Sequence, residues 1–346
     1  MKKVPPHQYI DRDSQRVNHE RLLADGLIQF LYGQAKEDPS LLFRALTSRQ
    51  ASFLLGFLLF DFPQGPRIFG LHRFLRRFRL DPSEFLDPPG SFRTCRQFFE
   101  RKIKYWEFRP MPPGEDEVLA PADSRAVLGS LDENSLIFLK GKFFHFEELL
   151  GKGKSFWSQC FQKGDFAIFR LTPEKYHYTH TPVAGRVKDI YEVPGSYHSC
   201  NPSAVISLVT PFSKNKRVVT LIDTDVAGGT GVGLVAMVEV VALMVGDILQ
   251  CYSEHRYDDP QDVRPGMFLH RGVPKSLFRP GSSTVVLLFQ PQRVEFTSDL
   301  VQNLRHPLAQ NRFSIGFQRP LVETEVQVRS RIGRALFPQP SKEVSA

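Results

Sequence analysis

Cysteine is scarce in this chain. Cys95, Cys160, Cys200 and Cys251 are the only four in 346 residues, they stand far apart, and none forms a CxxC pair. That spacing excludes the dense disulfide framework of a small secreted domain and a cysteine-based structural zinc site. Long apolar runs are also missing. The longest, Phe53 to Phe60, covers eight residues, whereas a helix needs about 20 to cross a bilayer. Met1-Lys2-Lys3-Val4-Pro5-Pro6 leads into polar residues, with neither the apolar stretch of a signal peptide nor the pattern of a transit peptide. The expectation is therefore a soluble or peripheral protein in a reducing compartment. Tryptophan (2) and tyrosine (9) are few against 30 phenylalanines. Glycine (24) and proline (26) show no period, which excludes collagen-like and low-complexity classes. Acidic residues are outnumbered 37 to 45, for a net charge of +8, which favours an anionic partner such as a membrane face or a nucleic acid. No strand interleaves aromatic and basic residues in the manner of a nucleic-acid binder, so nucleic acid is not expected. With 41% hydrophobic residues the chain can bury a core.

Residues 1–110 read mainly as helix. Leu23, Leu27, Phe30 and Leu31 recur at helical spacing, as does the stretch from Leu41 to Phe62 before Pro63. Arg67 to Leu80 mixes Phe and Leu with Arg73, Arg76, Arg77 and Arg79, the composition of a helix lying on an anionic membrane surface. Arg109-Pro110-Met111-Pro112-Pro113-Gly114 breaks the pattern. From 111 to 346 the texture is β-rich. Short runs at Ser135–Lys140, Phe166–Leu171, Ala204–Thr210, Arg217–Ile222, Leu234–Val245 and Thr284–Phe289 are separated by Gly, Pro, Asn and Asp. One helix fits Phe146–Leu150. The expected fold is α+β: a helical N-terminal region packed on a mainly antiparallel β-sandwich or barrel-like domain.

Three places carry candidate chemistry: Asp123 in Pro121-Ala122-Asp123-Ser124, the pair His177 and His180 in Tyr176-His177-Tyr178-Thr179-His180-Thr181-Pro182, and Ser282-Ser283 after Gly281. No Glu follows the first histidine as in HExxH, so a zinc-protease reading fails and no metal site is expected. Each feature alone is commonplace: an Asp in a turn, a structural histidine, a hairpin turn. Together they are the parts of a serine nucleophile activated by a base and an orienting acid.

In their order and surroundings these features resemble the phosphatidylserine decarboxylase family. Phe92 to Lys104, Pro121-Ala122-Asp123, Leu139 to Phe144 with Leu149-Leu150-Gly151, and Tyr176 to Pro182 follow in family order. Gly195 with Ser199-Cys200-Asn201-Pro202, then Asn215-Lys216-Arg217-Val218, continue it. The resemblance implies a proenzyme that cuts its own backbone before a serine and converts that serine into a covalent pyruvoyl group. It implies His180 as the base, Asp123 as its partner and His177 as the group assisting decarboxylation. The pyruvoyl carbonyl would form a Schiff base with phosphatidylserine or a related anionic amino lipid and accept the electrons released with CO2, giving phosphatidylethanolamine. The cleaved chains would remain as a heterodimer, with a homodimer of these as a further expectation, on the cytoplasmic side of a membrane as a peripheral protein. Alternatives are a decarboxylase of a soluble amino acid and a non-catalytic lipid-binding relative.

The sequence departs from the family pattern at several points. The cut is expected between Ser282 and Ser283, with Ser282 where the family usually has Gly; the alternative cut lies between Gly281 and Ser282. Ser124 follows Asp123 where Gly is usual, and Arg271 to Ser276 lacks acidic residues.

Overall fold

The structure, a computed structural model, describes residues 5–22, 25–34, 80–135, 143–208, 211–243, 247–281 and 283–336. The segments expected as helices over 41–62 and 67–79, most of the strand expected at Ser135–Lys140, and Ser282 lie outside the described residues. Sixteen strands are present among the described residues: β1 (Gln8–Asp11), β2 (Val17–His19), β3 (Glu117–Leu119), β4 (Ser124–Ser130), β5 (Asp165–Leu171), β6 (Tyr178–His180), β7 (Gly185–Val193) and β8 (Arg217–Asp223) come first. β9 (Leu234–Val241), β10 (Ile248–Gln250), β11 (Phe268–Leu269), β12 (Pro274–Phe278), β13 (Ser283–Phe289), β14 (Val294–Phe296), β15 (Glu323–Val326) and β16 (Arg331–Ala335) follow. Ten of them form one sheet in the order β11-β7-β8-β9-β13-β5-β4-β15-β1-β2. Only the β1–β15 pairing in it is parallel. Two three-stranded sheets, β10-β12-β6 and β14-β16-β3, complete the β structure.

The architecture is α+β, as expected, but the large sheet is open rather than a barrel. Its end strands β11 and β2, two and three residues long, do not pair with one another. β13 sits at its centre, paired along seven residues with β5 on one side and β9 on the other. Its Val285 to Phe289 are fully buried, each removing an apolar side chain from water at about 1.5–3 kcal/mol. Val285, Val286 and Phe289, β-branched or aromatic, and the two leucines between them fit a pleated, two-sided packing surface.

Two elements differ from the sequence-based expectation. The first twenty residues begin with β1 and β2 rather than helix; β1 lies beside β15, with Tyr9 opposite Glu323. The β-branched run after Ala204 belongs to a helix, Pro202–Ser207, because Asn201 caps the Ser203 N–H and Pro202 occupies the first turn. Helices at Asp25–Gln34 and Phe146–Leu150 are present as expected. Among the described residues, no helix is long and apolar enough to cross a membrane.

Candidate active site

Strand pairing brings the candidate residues to one end of the large sheet. Ser283 opens β13 and lies opposite Leu171, the last residue of β5. β5 pairs in turn with β4, Arg170 opposite Arg125, and Asp123 immediately precedes β4. Neighbouring strands are about 4.8 Å apart, so Ser283 and Asp123 are separated by two strand spacings, about 10 Å. The chain leaving β5 reaches His177 six residues after Leu171. There the Phe278 N–H, five residues ahead of Ser283, donates to the His177 carbonyl at 3.1 Å. The His180 N–H donates to the Pro121 carbonyl at 2.8 Å, which ties β6 to the turn carrying Asp123.

Asp123 is buried and held by Arg109. The guanidinium donates from Nε to Oδ1 at 3.0 Å and from Nη2 to Oδ2 at 2.8 Å, and the Val328 N–H adds a third bond at 2.8 Å. Burial would raise this carboxyl, but Arg109 and the Val328 amide outweigh it and hold it below the usual carboxylate range. Asp123 is thus an anion at ordinary pH, and Arg109 is also bound to Glu84 at 2.9 Å.

His180 is fully buried, and burial pushes its pKa down to about 3. The ring is therefore neutral and carries one N–H. Nδ1 lies 3.0 Å from the Gly272 carbonyl, which can only accept, so the network assigns the proton to Nδ1 and a lone pair to Nε2. That lone pair faces the Tyr176 hydroxyl at 3.0 Å. Tyr176 is in turn 2.8 Å from the Tyr257 hydroxyl. The expected direct pairing of Asp123 with His180 is not formed. The carboxylate is taken by Arg109 and the imidazole by Gly272 and Tyr176, and Asp123 acts on His180 only through its charge.

His177 is also fully buried, with a pKa pushed down to about 3 by burial and by the nearby Arg101 cation. Its Nδ1 donates to the Lys175 carbonyl at 2.8 Å, and Nε2 has no partner. Phe99 packs on the ring, with centroids 3.6 Å apart and planes at 31°. Ser283 is buried as well, and its Oγ has no partner. Buried polar groups are nearly always hydrogen-bonded, so two such atoms on segments joined by the His177–Phe278 bond mark a place for chemistry. Thr284, the next residue, donates from its hydroxyl to the Cys200 Sγ at 3.2 Å. Sequence reasoning did not single out Arg109, Tyr176, Phe99 or Gly272 for these contacts. The Arg-rich stretch before 110 was the available signal for Arg109.

His7, Glu20 and Glu323 form a separate buried cluster whose ligand-type atoms lie within 4.8 Å of one another. Arg170 binds both carboxylates, Glu20 at 2.5 Å and Glu323 at 2.9 Å. Arg170 thus ties the two carboxylates into an internal ion cluster.

Comparison with known proteins agrees with the residue pattern. The phosphatidylserine decarboxylase family model matches residues 95–311. The phosphatidylserine decarboxylase proenzyme of Chlamydia trachomatis is 32% identical over 296 residues, 85% of this chain and 90% of that protein. That of Bordetella petrii is 34% identical over 240 residues, 66% of this chain and 80% of its own. Proenzyme 2 of Oryza sativa subsp. japonica is 36% identical over 237 residues, 67% of this chain but 35% of its own. With a family match spanning both histidines, Asp123 and Ser283, and with relatives aligned over most of their length, the chain belongs to the phosphatidylserine decarboxylase family.

Proposed function

We propose that this chain is a self-cleaving proenzyme that decarboxylates phosphatidylserine to phosphatidylethanolamine, with Ser283 as the residue that is processed. The observation that carries the reading is the buried, unpartnered Ser283 Oγ at the start of β13, at the same end of the sheet as Asp123, His177 and His180. In processing, Ser283 Oγ attacks the carbonyl of residue 282. The C–N bond breaks as the C–O bond forms, and His180 Nε2 takes the hydroxyl proton and returns it to the freed amine. For this His180 must part from Tyr176. The fixed negative charge of Asp123 favours the transient imidazolium, and the Nδ1–H bond to Gly272 holds the ring.

Ser283 fits the pyruvoyl group that self-processing implies, because its carbon skeleton would supply that group: its Oγ would leave with the upstream chain, its nitrogen would leave as ammonia, and one water would supply the keto oxygen. When present, the pyruvoyl group supplies an electron sink for an amine-bearing substrate losing CO2. His177, whose open Nε2 carries a lone pair, would take up a proton there and pass it to the product carbon. The net charge of +8 and the Arg- and Phe-rich segment 67–79 support residence at the anionic, cytoplasmic surface of a membrane.

CO2 release from phosphatidylserine vesicles and from free serine tests the reading. The parent is expected to act on the lipid alone, and Ser283→Ala to remain one chain and release none. Asp123→Ala and His180→Ala should block processing, while His177→Ala should cleave and decarboxylate poorly. Release from free serine alone would replace the lipid reading with that of a soluble amino-acid decarboxylase.

A further inference from the structure

Arg101 is a buried cation that the charges of Asp123, Glu174 and Glu84 reach only at a distance. It is 4% exposed, yet among the described residues no carboxylate forms an ion pair with it. Its neighbours are committed elsewhere: Glu84 and Asp123 to Arg109, and the Glu174 carboxylate to the Thr172 hydroxyl at 2.5 Å. The guanidinium donates instead to two carbonyls, Nη1 to Phe98 at 3.2 Å and Nη2 to Glu174 at 2.6 Å. It lies over the rings of Phe98 and Phe85, 4.6 and 5.2 Å from their centroids. Its Nε is buried with no partner. A guanidinium has five N–H donors in a fixed fork, and these contacts leave part of the fork unused. Burying a charge without a direct ion pair is costly, and burial outweighs the attraction of Asp123, Glu174 and Glu84 in lowering this arginine to about 10.

The position of Arg101 gives the unused donors a purpose. The carbonyl that Arg101 grips belongs to Glu174, three residues before His177. Phe99, two residues before Arg101, packs on the His177 ring. Arg101 thus grips the segment that leads into His177, and its charge reaches that ring. We propose that Arg101 receives the anionic oxygen of the substrate headgroup, that this oxygen belongs to the phosphodiester, and that the contact sets preference for a phospholipid over a free amino acid. The proposal rests on the phosphatidylserine reading above. The headgroup offers two oxyanions, and the chemistry separates them. A carboxylate loses its charge as CO2 departs, so an ion pair with it stabilises the ground state and slows the step, whereas a phosphodiester keeps its charge throughout and can be bound without that penalty.

The experiment uses the self-cleaved enzyme with dihexanoyl phosphatidylserine as soluble substrate. Dihexanoyl phosphatidylglycerol, which has the phosphodiester but no carboxylate, and serine methyl ether, which has the carboxylate but no phosphodiester, serve as inhibitors. A charge-assisted hydrogen bond lost on Arg101→Gln should raise KM at least about tenfold and weaken phosphatidylglycerol inhibition by the same factor. Self-cleavage and inhibition by serine methyl ether should not change, and kcat is read separately because the Arg101 charge also bears on His177. If only serine methyl ether inhibition weakened, the phosphodiester assignment would be overturned. Unchanged KM and inhibition would make Arg101 a tie between the Phe98 and Glu174 carbonyls and nothing more. Should Arg101→Gln fail to process, Arg101→Lys is measured instead: it keeps the charge but loses the fork, and phosphatidylglycerol inhibition equal to the parent's would overturn the proposal. A parent inactive on phosphatidylserine would sink the functional reading itself, a result distinct from an active parent with an indifferent Arg101 variant.

Discussion

His177 and His180 are held as neutral bases because neither ring can be charged without water or a carboxylate in direct contact. In the unfolded chain both titrate near 6.5; in the folded protein both fall to about 3. Between these values the unfolded state binds more protons, so the stability they contribute is complete above pH 6.5 and is lost as pH falls toward 3. Each adds a slope of up to about 1.4 kcal/mol per pH unit in that window. The urea midpoint should therefore drop from pH 7 to pH 5, and His177→Gln should flatten that drop. A midpoint independent of pH over this range would mean that the imidazoles are not desolvated as described. Asp123 works in the same sense at lower pH: its carboxyl is held below the ordinary value of 3.8, so its contribution is complete at pH 5 to 7 and is lost only as pH falls below the usual carboxylate range.

The turn that feeds β13 decides whether Ser283 reaches its carbonyl. Gly281 has φ of 149°, a backbone region that L side chains rarely enter. Gly281→Ala should cost about 1–3 kcal/mol locally and slow appearance of the small fragment on a denaturing gel, with the folded sheet retained. Processing at the parental rate would show that the turn does not require this conformation. β13 itself was legible in the sequence as an unbroken apolar run, as were β8 and β9. β4 and β7 were not. β4 opens with Ser124-Arg125, whose polar groups are buried against other charges. In β7 exposed Arg186 and Lys188 alternate with buried Gly185 and Val187, and the strand was passed over as a polar stretch. Asp123, the two histidines and Ser282-Ser283 stood out in the sequence as parts of a serine, base and acid set, and the family resemblance assigned their roles. Pairings between residues more than one hundred positions apart, such as Ser283 opposite Leu171, bring them together. The Arg109 grip on Asp123 depends on the same tertiary placement, which is why a direct Asp123–His180 bond was expected and is absent.

At the scale of the molecule, a cut before Ser283 would not free the smaller piece. β13 lies between β5 and β9, β15 lies between β4 and β1, and β14 and β16 join β3. The N-terminal arm adds polar ties: Arg12 to Asp299 at 2.7 Å, Asp25 to Arg312 at 2.7 Å, and His7 to Glu323 at 2.5 Å. The two pieces should co-elute on size exclusion and separate only in denaturant; separation in native buffer would contradict this pairing. The central claim is that Ser283 becomes the processed N-terminus, and intact mass spectrometry of the denatured protein tests it most directly. The account predicts a piece spanning 283–346, about 7 kDa as 64 of the 346 residues of a 39.5 kDa chain, with its first residue converted to a pyruvoyl group. A single full-length mass in a fully active preparation would contradict the account, and a blocked piece one residue longer would move the site to Ser282.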